Sequence, residues 1–448
     1  MTSPTADLTF ARGQMALSLA FHIVFAAVGV ALPALMVVAE LRYRRTGDEI
    51  YLELARRWAK GTAILFAVGA VSGTVLSFEL GLLWPRFMAF AGAIIGMPFS
   101  LEGFAFFTEA IFLGIYLYGW ERVSPRMHLL SGVAVTVSGA FSALFVVLAN
   151  AWMNAPTGFK VQGGLPVEVD PLAAMFSPGW AVEVVHVLLS SYLATAVAMA
   201  AVHAAFLLRA PQSRFHRAAL GIAMMFVVPA ALLQPLSGDF SARSVAVRQP
   251  AKLAALEGQF HTERGAPLRL GGWPDPAART TRYALEIPHG LSFLAFHDLE
   301  AEVRGLDSFP VADWPETRVV HVAFQVMVGA GSTLALVALW WGGVWFRRRR
   351  ARGSASASAA GESRALLWAV VASGPLGFLA LEAGWAVTEV GRQPWIVYGV
   401  IRTGDAVTPV VGLATPFALV GLVYLGLGAV VAVLLGRLFL KTGAAHVE

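Results

Sequence analysis

Long apolar runs dominate this chain, and short polar breaks separate them. Nine of the runs have roughly 20 residues or more, the length an α-helix needs to cross hydrocarbon. They fall at residues 15–38, 61–83, 96–118, 128–153, 180–208, 218–236, 319–345, 366–390 and 413–440. The pattern predicts an all-α fold, a polytopic membrane helix bundle of about nine transmembrane helices. The eighth run ends in GWAVTEVGRQPW, residues 384–395, where Gly391 and Pro394 stop the helix. Glu389 and Arg392 sit at that end. Ionisable groups beside hydrocarbon are costly, and that makes them functional candidates. A helix-end ion pair at headgroup level is the plain alternative.

Basic residues set the orientation. The break after the first run holds Arg42, Arg44, Arg45, Arg56, Arg57 and Lys60. The breaks after the third, fifth and seventh hold Arg122 and Arg126, then Arg209, Arg214 and Arg217, then Arg347, Arg348, Arg349 and Arg350. The short breaks after the second and fourth runs carry only Arg86 and Lys160. Excess Lys and Arg marks the cytoplasmic side, so the N-terminus is expected outside and the C-terminus in the cytoplasm. The chain then divides into helices 1–6 (residues 1–236), an extracytoplasmic segment (237–318) and helices 7–9 (319–448). The middle segment is polar, punctuated by Pro and Gly, with one short helical run near Lys252. A segment of that length is functional or disordered. The Ser/Ala/Gly stretch 353–362 reads as a flexible cytoplasmic linker. The first run has full span length and no AxA-type cleavage site, so it reads as a membrane helix rather than a cleaved signal peptide.

Composition agrees. The chain is 57% hydrophobic and only 14% charged, with mean hydropathy +0.67, which is the balance of an integral membrane protein. The net charge of +5 lies mainly in the breaks and suits topology and lipid headgroups, so no nucleic-acid partner is expected. Cysteine is absent, which excludes disulfides, Cys-ligated iron–sulfur clusters, thiolate-ligated haem and CxxCH haem attachment. Any metal must be held by His, Met or carboxylate.

Of ten histidines, most read as loop residues; His22 and His186 lie well inside spans. Counted at about 1.5 Å per residue from the outer helix ends, His22, His186, Met327, Glu102 and Glu389 all fall in the outer half of the bilayer. A lone intramembrane His can simply hydrogen-bond across helices, and a lone Met is more often core filler. A shared depth is what a cofactor layer would produce. The ligand types suit haem iron: His with Met gives a six-coordinate, low-spin site. His186 and Met327 can form that pair, leaving His22 and Glu389 as single protein ligands of other haems.

The segments ARGQMALSLAFHIVF around His22, PFSLEGFAFFTEAIFLGIYLYGW with Glu102 and Glu109, GWAVEVVHVLLSSY around His186, AKLAALE from Lys252 to Glu257, FQVMVG around Met327, and GWAVTEVGRQPW together resemble subunit I of the cytochrome bd-type quinol oxidases. They cover most of the chain in that family's order. The resemblance implies that His186 and Met327 are the axial ligands of a low-spin haem b. It implies that His22 and Glu389 serve the two active-site haems, a high-spin haem b and a haem d or a further haem b in its place. Which of the two ligands serves which haem stays open. Glu102 would lie beside that pair. Arg392, which can meet a haem propionate, and Arg12 in the first segment are expected cofactor-binding residues. Trp385 stands four residues before Glu389 on the same helix face, as an aromatic neighbour of the haems or as ordinary core. Lys252 and Glu257 match the family's quinol-contacting pair, where a carboxylate can accept a quinol proton; without the match they would read as a solvated surface helix. Some members carry Arg where this chain has Gln325, two residues before the ligand Met. The outer stretches GAPLRLGGWPD and TRYALEIPHGLSFLA look like the short-loop, cyanide-insensitive branch.

The expected function is that of the haem-carrying subunit of a terminal quinol oxidase. Membrane quinol would be oxidised at the outer face and O2 reduced to water. Glu102 and Glu109 are seven residues apart and share a helix face. Ser142 and Asn150, eight apart on the fourth span, match the family's proton route and active-site Asn. Glu109 and Ser142 are expected to pass cytoplasmic protons, through Glu102 or nearby water, to oxygen. Such a layout builds membrane potential without pumping, about 2.3 kcal/mol per charge per 100 mV. The family further implies a second apolar subunit, optionally a small single-helix subunit, and a multi-pass location in the bacterial plasma (inner) membrane. The rival is a proton-coupled membrane transporter lacking haem. It calls for internal inverted repeats, and it leaves the depth-matched His and Met without a role.

Overall fold

A computed structural model describes the backbone of residues 4–351 and 363–446, and the side chains of 7–350 and 363–438. The stretch 353–362 read as a linker lies outside the described residues. Among them, nine helices are long and apolar enough to cross a membrane. They are α1 (Pro4–Thr46), α2 (Glu49–Leu83), α3 (Pro85–Tyr118), α4 (Pro125–Asn154), α5 (Trp180–Arg209), α6 (Arg214–Arg248), α7 (Thr317–Ala351), α8 (Arg364–Gly391) and α9 (Ala414–His446).

Local chemistry explains where several of them begin. Asp48, Ser124, Ser213 and Ser363 stand at the N-caps of α2, α4, α6 and α8, and each side chain accepts a hydrogen bond from a first-turn backbone N–H. Those N–H groups have no partner within the helix, so the cap replaces water as their acceptor. All four caps lie at the end of the bundle that carries the Arg-rich breaks.

The helices overrun the apolar runs. Arg56, Arg57 and Lys60, expected in a loop, lie inside α2, and the break after α1 is only residues 47–48. A 35-residue helix spans about 50 Å, against a hydrocarbon core of about 30 Å. Charged residues can therefore ride on the helix beyond the apolar slab. Arg56 and Arg57 lie over the rings of Trp120 and Phe215, at 5.1 and 5.2 Å from the centroids. The sixth span, expected to end at residue 236, continues as helix to Arg248. The segment beyond Arg248, expected outside, is folded: a short helix Pro250–Glu257, a second at Gly290–Phe296, and paired strands such as Leu268–Leu270 with Leu285–Ile287. The fold is thus mostly helical, with two-stranded ladders in its loops.

Close helix contacts come from small residues. On α8, a β-carbon at Gly377 would stand 2.6 Å from the Ala194 Cα of α5, and one at Gly374 would stand 2.7 Å from the Ala201 Cβ. No side chain fits there, so the two backbones pack directly. This contact carries the end of α8, with Trp385 and Glu389, alongside the half of α5 that holds His186. The main apolar core lies nearer the other end, where Leu35, Met36, Leu54, Leu207 and Leu220 are fully enclosed.

Candidate functional site

The end of α8 gathers the polar groups. The Asn150 side-chain amide of α4 donates to Glu389 Oε1 at 2.6 Å. Arg392 Nη2 donates to Glu389 Oε2, also at 2.6 Å. Arg392 is buried, and its Nε and Nη1 have no hydrogen-bond partner. Gln393, next in the motif, accepts from the Thr403 hydroxyl at 2.7 Å, which ties the GRQPW turn to the start of the short helix Thr403–Ala406.

A second chain of contacts leads outward from Asn150. Asn154, one turn further along α4, donates to Asn150 Oδ1 at 2.9 Å. Its own Oδ1 accepts from Gln249 at 3.1 Å and from Lys252 Nζ at 3.4 Å. Lys252 Nζ also donates to the Thr388 carbonyl at 3.3 Å. Lys252 and Glu257 are both buried, so the short helix that bears them is not a solvated surface element. Burial pushes the Lys252 ammonium down to about 8, with the Glu183 carboxylate pulling it back up in part. Burial pushes the Glu257 carboxyl up to about 8, with Arg269 drawing it down in part. A small cavity with about 20 Å³ of water-sized space is lined by Asn154, Glu183, Arg248, Gln249 and Lys252 among others. Neither Asn154 nor Glu183 was singled out from the sequence. Their signal was available: Glu183 sits one turn before His186.

His22, His186 and Met327 are half-buried, as is Glu389. Each histidine has Nδ1 tied to a serine hydroxyl, His22 to Ser72 at 3.0 Å and His186 to Ser237 at 2.9 Å. Holding one ring nitrogen fixes the ring and aims the other, as metal-binding histidines require. The Gln234 amide lies 3.1 Å from His186 Nε2. Glycine backs two of the donors. A β-carbon at Gly73 would stand 3.0 Å from His22 Cε1, and one at Gly384 would stand 3.1 Å from Met327 Sδ. Trp385 packs half-buried beside Leu381, Ile23 and Ala27. Arg12 is exposed on α1. Gln325 accepts from the Gly271 N–H and donates to the Arg269 carbonyl, so it clasps the outer segment to α7.

On α3, Glu102 accepts from the Ser142 hydroxyl at 3.3 Å. Glu109 is buried between α1 and α4, where its carboxylate lies against Gly29 and Gly139. The structure also corrects the count of buried histidines. His128, His203, His216 and His321, not read as intramembrane, are helical and buried. His203 and His216 meet at 2.9 Å through their Nδ1 atoms.

The donor set fits haem. Two histidines with one nitrogen pinned, a thioether backed by glycine, a carboxylate, and a buried guanidinium with two unpartnered nitrogens suit iron ligands and a propionate.

The chain matches the family model of cytochrome bd terminal oxidase subunit I over residues 10–443. It is 37% identical to a Bacillus subtilis chain whose name assigns it provisionally as a cytochrome bd menaquinol oxidase subunit I, covering 97% of both chains. It is 31% identical to the cytochrome bd ubiquinol oxidase subunit 1 of Bacillus subtilis, over 98% of this chain and 95% of that one. Among solved structures it resembles the bd oxidase of Geobacillus thermodenitrificans, with a TM-score of 0.89 at 39% identity, covering 97% of this chain and 98% of the other.

Proposed function

The chain belongs to the cytochrome bd terminal oxidase subunit I family, and on that premise we propose that it is the haem-carrying subunit of a quinol:O2 oxidoreductase in the bacterial plasma membrane. His186 and Met327 would hold a low-spin haem b, and His22 and Glu389 the two active-site haems. Arg392, with two unpartnered nitrogens, would take a propionate, and Arg12 belongs to the same cofactor-binding set. When bound, the haems supply the one-electron steps and the iron at which oxygen is reduced.

The chain's own residues supply orientation and proton handling. Glu257 accepts a proton from the quinol hydroxyl, and Lys252 positions the quinol oxygen. Asn150 and Arg392 hold the Glu389 carboxylate from both sides, so its direction is fixed before any ligand arrives. Glu109, Ser142 and Glu102 carry cytoplasmic protons toward Asn150 and Glu389. Trp385 packs against the apolar cluster of Ile23, Ala27, Ala194 and Leu381 and would be an aromatic neighbour of the haems.

One observation carries the reading. Lys252, Asn154, Asn150 and Glu389 form an unbroken line of hydrogen bonds from the outer segment to the GRQPW helix. A site where quinol is oxidised and a site where oxygen is reduced need such proximity. A transporter lacking haem would leave the two serine-pinned histidines without a use. The compact outer segment supports assignment to the short-loop branch. Exposed rings along α2–α4, such as Phe78, Phe104, Phe107 and Phe141, offer a face for a second apolar subunit, with a small single-helix subunit as an optional addition.

The test is a purified complex assayed for quinol-driven O2 uptake together with a pyridine haemochrome spectrum. Uptake with three haems per complex is expected. A colourless preparation that consumes no O2 defeats the proposal.

A further inference from the structure

Opposite the haem-binding end, at the Arg-rich end of the bundle, three buried polar side chains meet: Glu40 of α1, Tyr116 of α3 and His128 of α4. Glu40 Oε1 accepts from Arg44 at 2.6 Å, and Glu40 Oε2 lies 3.1 Å from His128 Nδ1. His128 Nε2 lies 3.0 Å from the Tyr116 backbone carbonyl. A carbonyl only accepts, so Nε2 carries a hydrogen. The Nδ1···Oε2 contact then also needs a proton, because a bare imidazole nitrogen facing a carboxylate oxygen is repulsive. The pair therefore holds one proton, either on histidine or on the carboxyl group, in a site closed to solvent.

Tyr116 stands next to this pair, on the helix that carries Glu109. The Tyr116 hydroxyl is buried, faces Glu40 and makes no hydrogen bond of ordinary geometry. Glu109 stands seven residues, two turns, along the same face of α3. Between these levels α4 presents glycine: a β-carbon at Gly132 would come within 2.7 Å of the Tyr116 ring, and one at Gly139 would stand 3.4 Å from Glu109. Arg44, with a quarter of its side chain exposed, is the cluster's link to bulk water. One further charged group stands nearby: Arg56 lies over Trp120 at 5.1 Å, and the Trp120 ring lies 4.0 Å from His128.

We propose that Glu40 and His128 form the proton-loading site through which cytoplasmic protons reach Glu109. This rests on the oxidase reading and deepens it. A proton leaves the pair for a water chain past Tyr116 and arrives on the Glu109 carboxylate. Water near Arg44 then reloads the pair, and no electrons move.

The test uses the haem-loaded complex in proteoliposomes, comparing wild type with Glu40→Gln, Glu40→Asp and His128→Gln. Steady-state O2 turnover, its pH profile and its H2O/D2O ratio are measured beside the haem spectrum and the quinol KM. Glu40→Gln should slow turnover roughly tenfold, shift the pH profile and raise the isotope ratio, with spectrum and KM unchanged. Glu40→Asp should recover part of the rate. If Glu40→Gln fails to assemble, His128→Gln decides by the same readouts. A loaded variant with wild-type turnover, or a slow one with an unmoved pH profile and isotope ratio, overturns the proposal. An inactive wild type would instead defeat the oxidase reading.

Discussion

Lys252 runs along the bare backbone of Gly391: a β-carbon there would stand 3.0 Å from both Cγ and Cε of the lysine. The glycine in GRQPW therefore does more than end α8. It leaves a channel for a buried ammonium to reach the Thr388 carbonyl and Asn154.

Gly391→Ala should displace Lys252 at an overpacking cost of about 1–3 kcal/mol. The expected result is a raised quinol KM with an intact haem spectrum. A KM equal to wild type would separate Lys252 from quinol binding.

Asn150→Leu removes a donor from Glu389 Oε1 and leaves Arg392 as its only side-chain partner. A hydrogen bond to a charged group is worth about 1.5–3 kcal/mol. One active-site haem should be lost or spectrally shifted, while the low-spin band stays. An unaltered haem stoichiometry and spectrum would count against Glu389 as a ligand.

His186→Ala should abolish the low-spin haem signal, and Ser237→Ala, which frees Nδ1, should weaken or shift it. Redox-difference spectra of the two purified variants check this. A full low-spin band in His186→Ala refutes the ligand assignment.

Glu109→Gln should slow O2 turnover by about 10²-fold and leave all haem bands in place. Turnover at the wild-type rate would remove Glu109 from the proton path and the proposed loading site with it.

Glu257 predicts a pH dependence. Its folded value, about 8, lies above the ordinary 4.5. The neutral carboxyl thus favours the fold fully below about 4.5, and that contribution fades as pH climbs through about 8. As a proton acceptor it works only when ionised, so quinol oxidation should rise through the same range. Glu257→Gln should lose that rise and flatten the decline of thermal stability with pH. Parallel melts and rate profiles of both proteins provide the measurement.

The sequence by itself determined the nine spans and the residues whose burial needs a reason. Apolar length fixes a membrane helix, and a His or Glu inside one is too costly to be idle. It also supplied the GRQPW motif and the heptad spacing of Glu102 and Glu109. It misplaced Arg56, Arg57 and Lys60, because hydropathy finds where hydrocarbon ends and not where the helix ends. It missed His128 and Glu40, since each is ordinary for a helix terminus until the other is set 3.1 Å away. Only the tertiary structure decided which side chains touch: Asn154 with Lys252, Gly391 with Lys252, Ser72 with His22. These pairs join helices far apart in the chain, and their register comes from packing glycine and alanine backbones together, which no local pattern encodes.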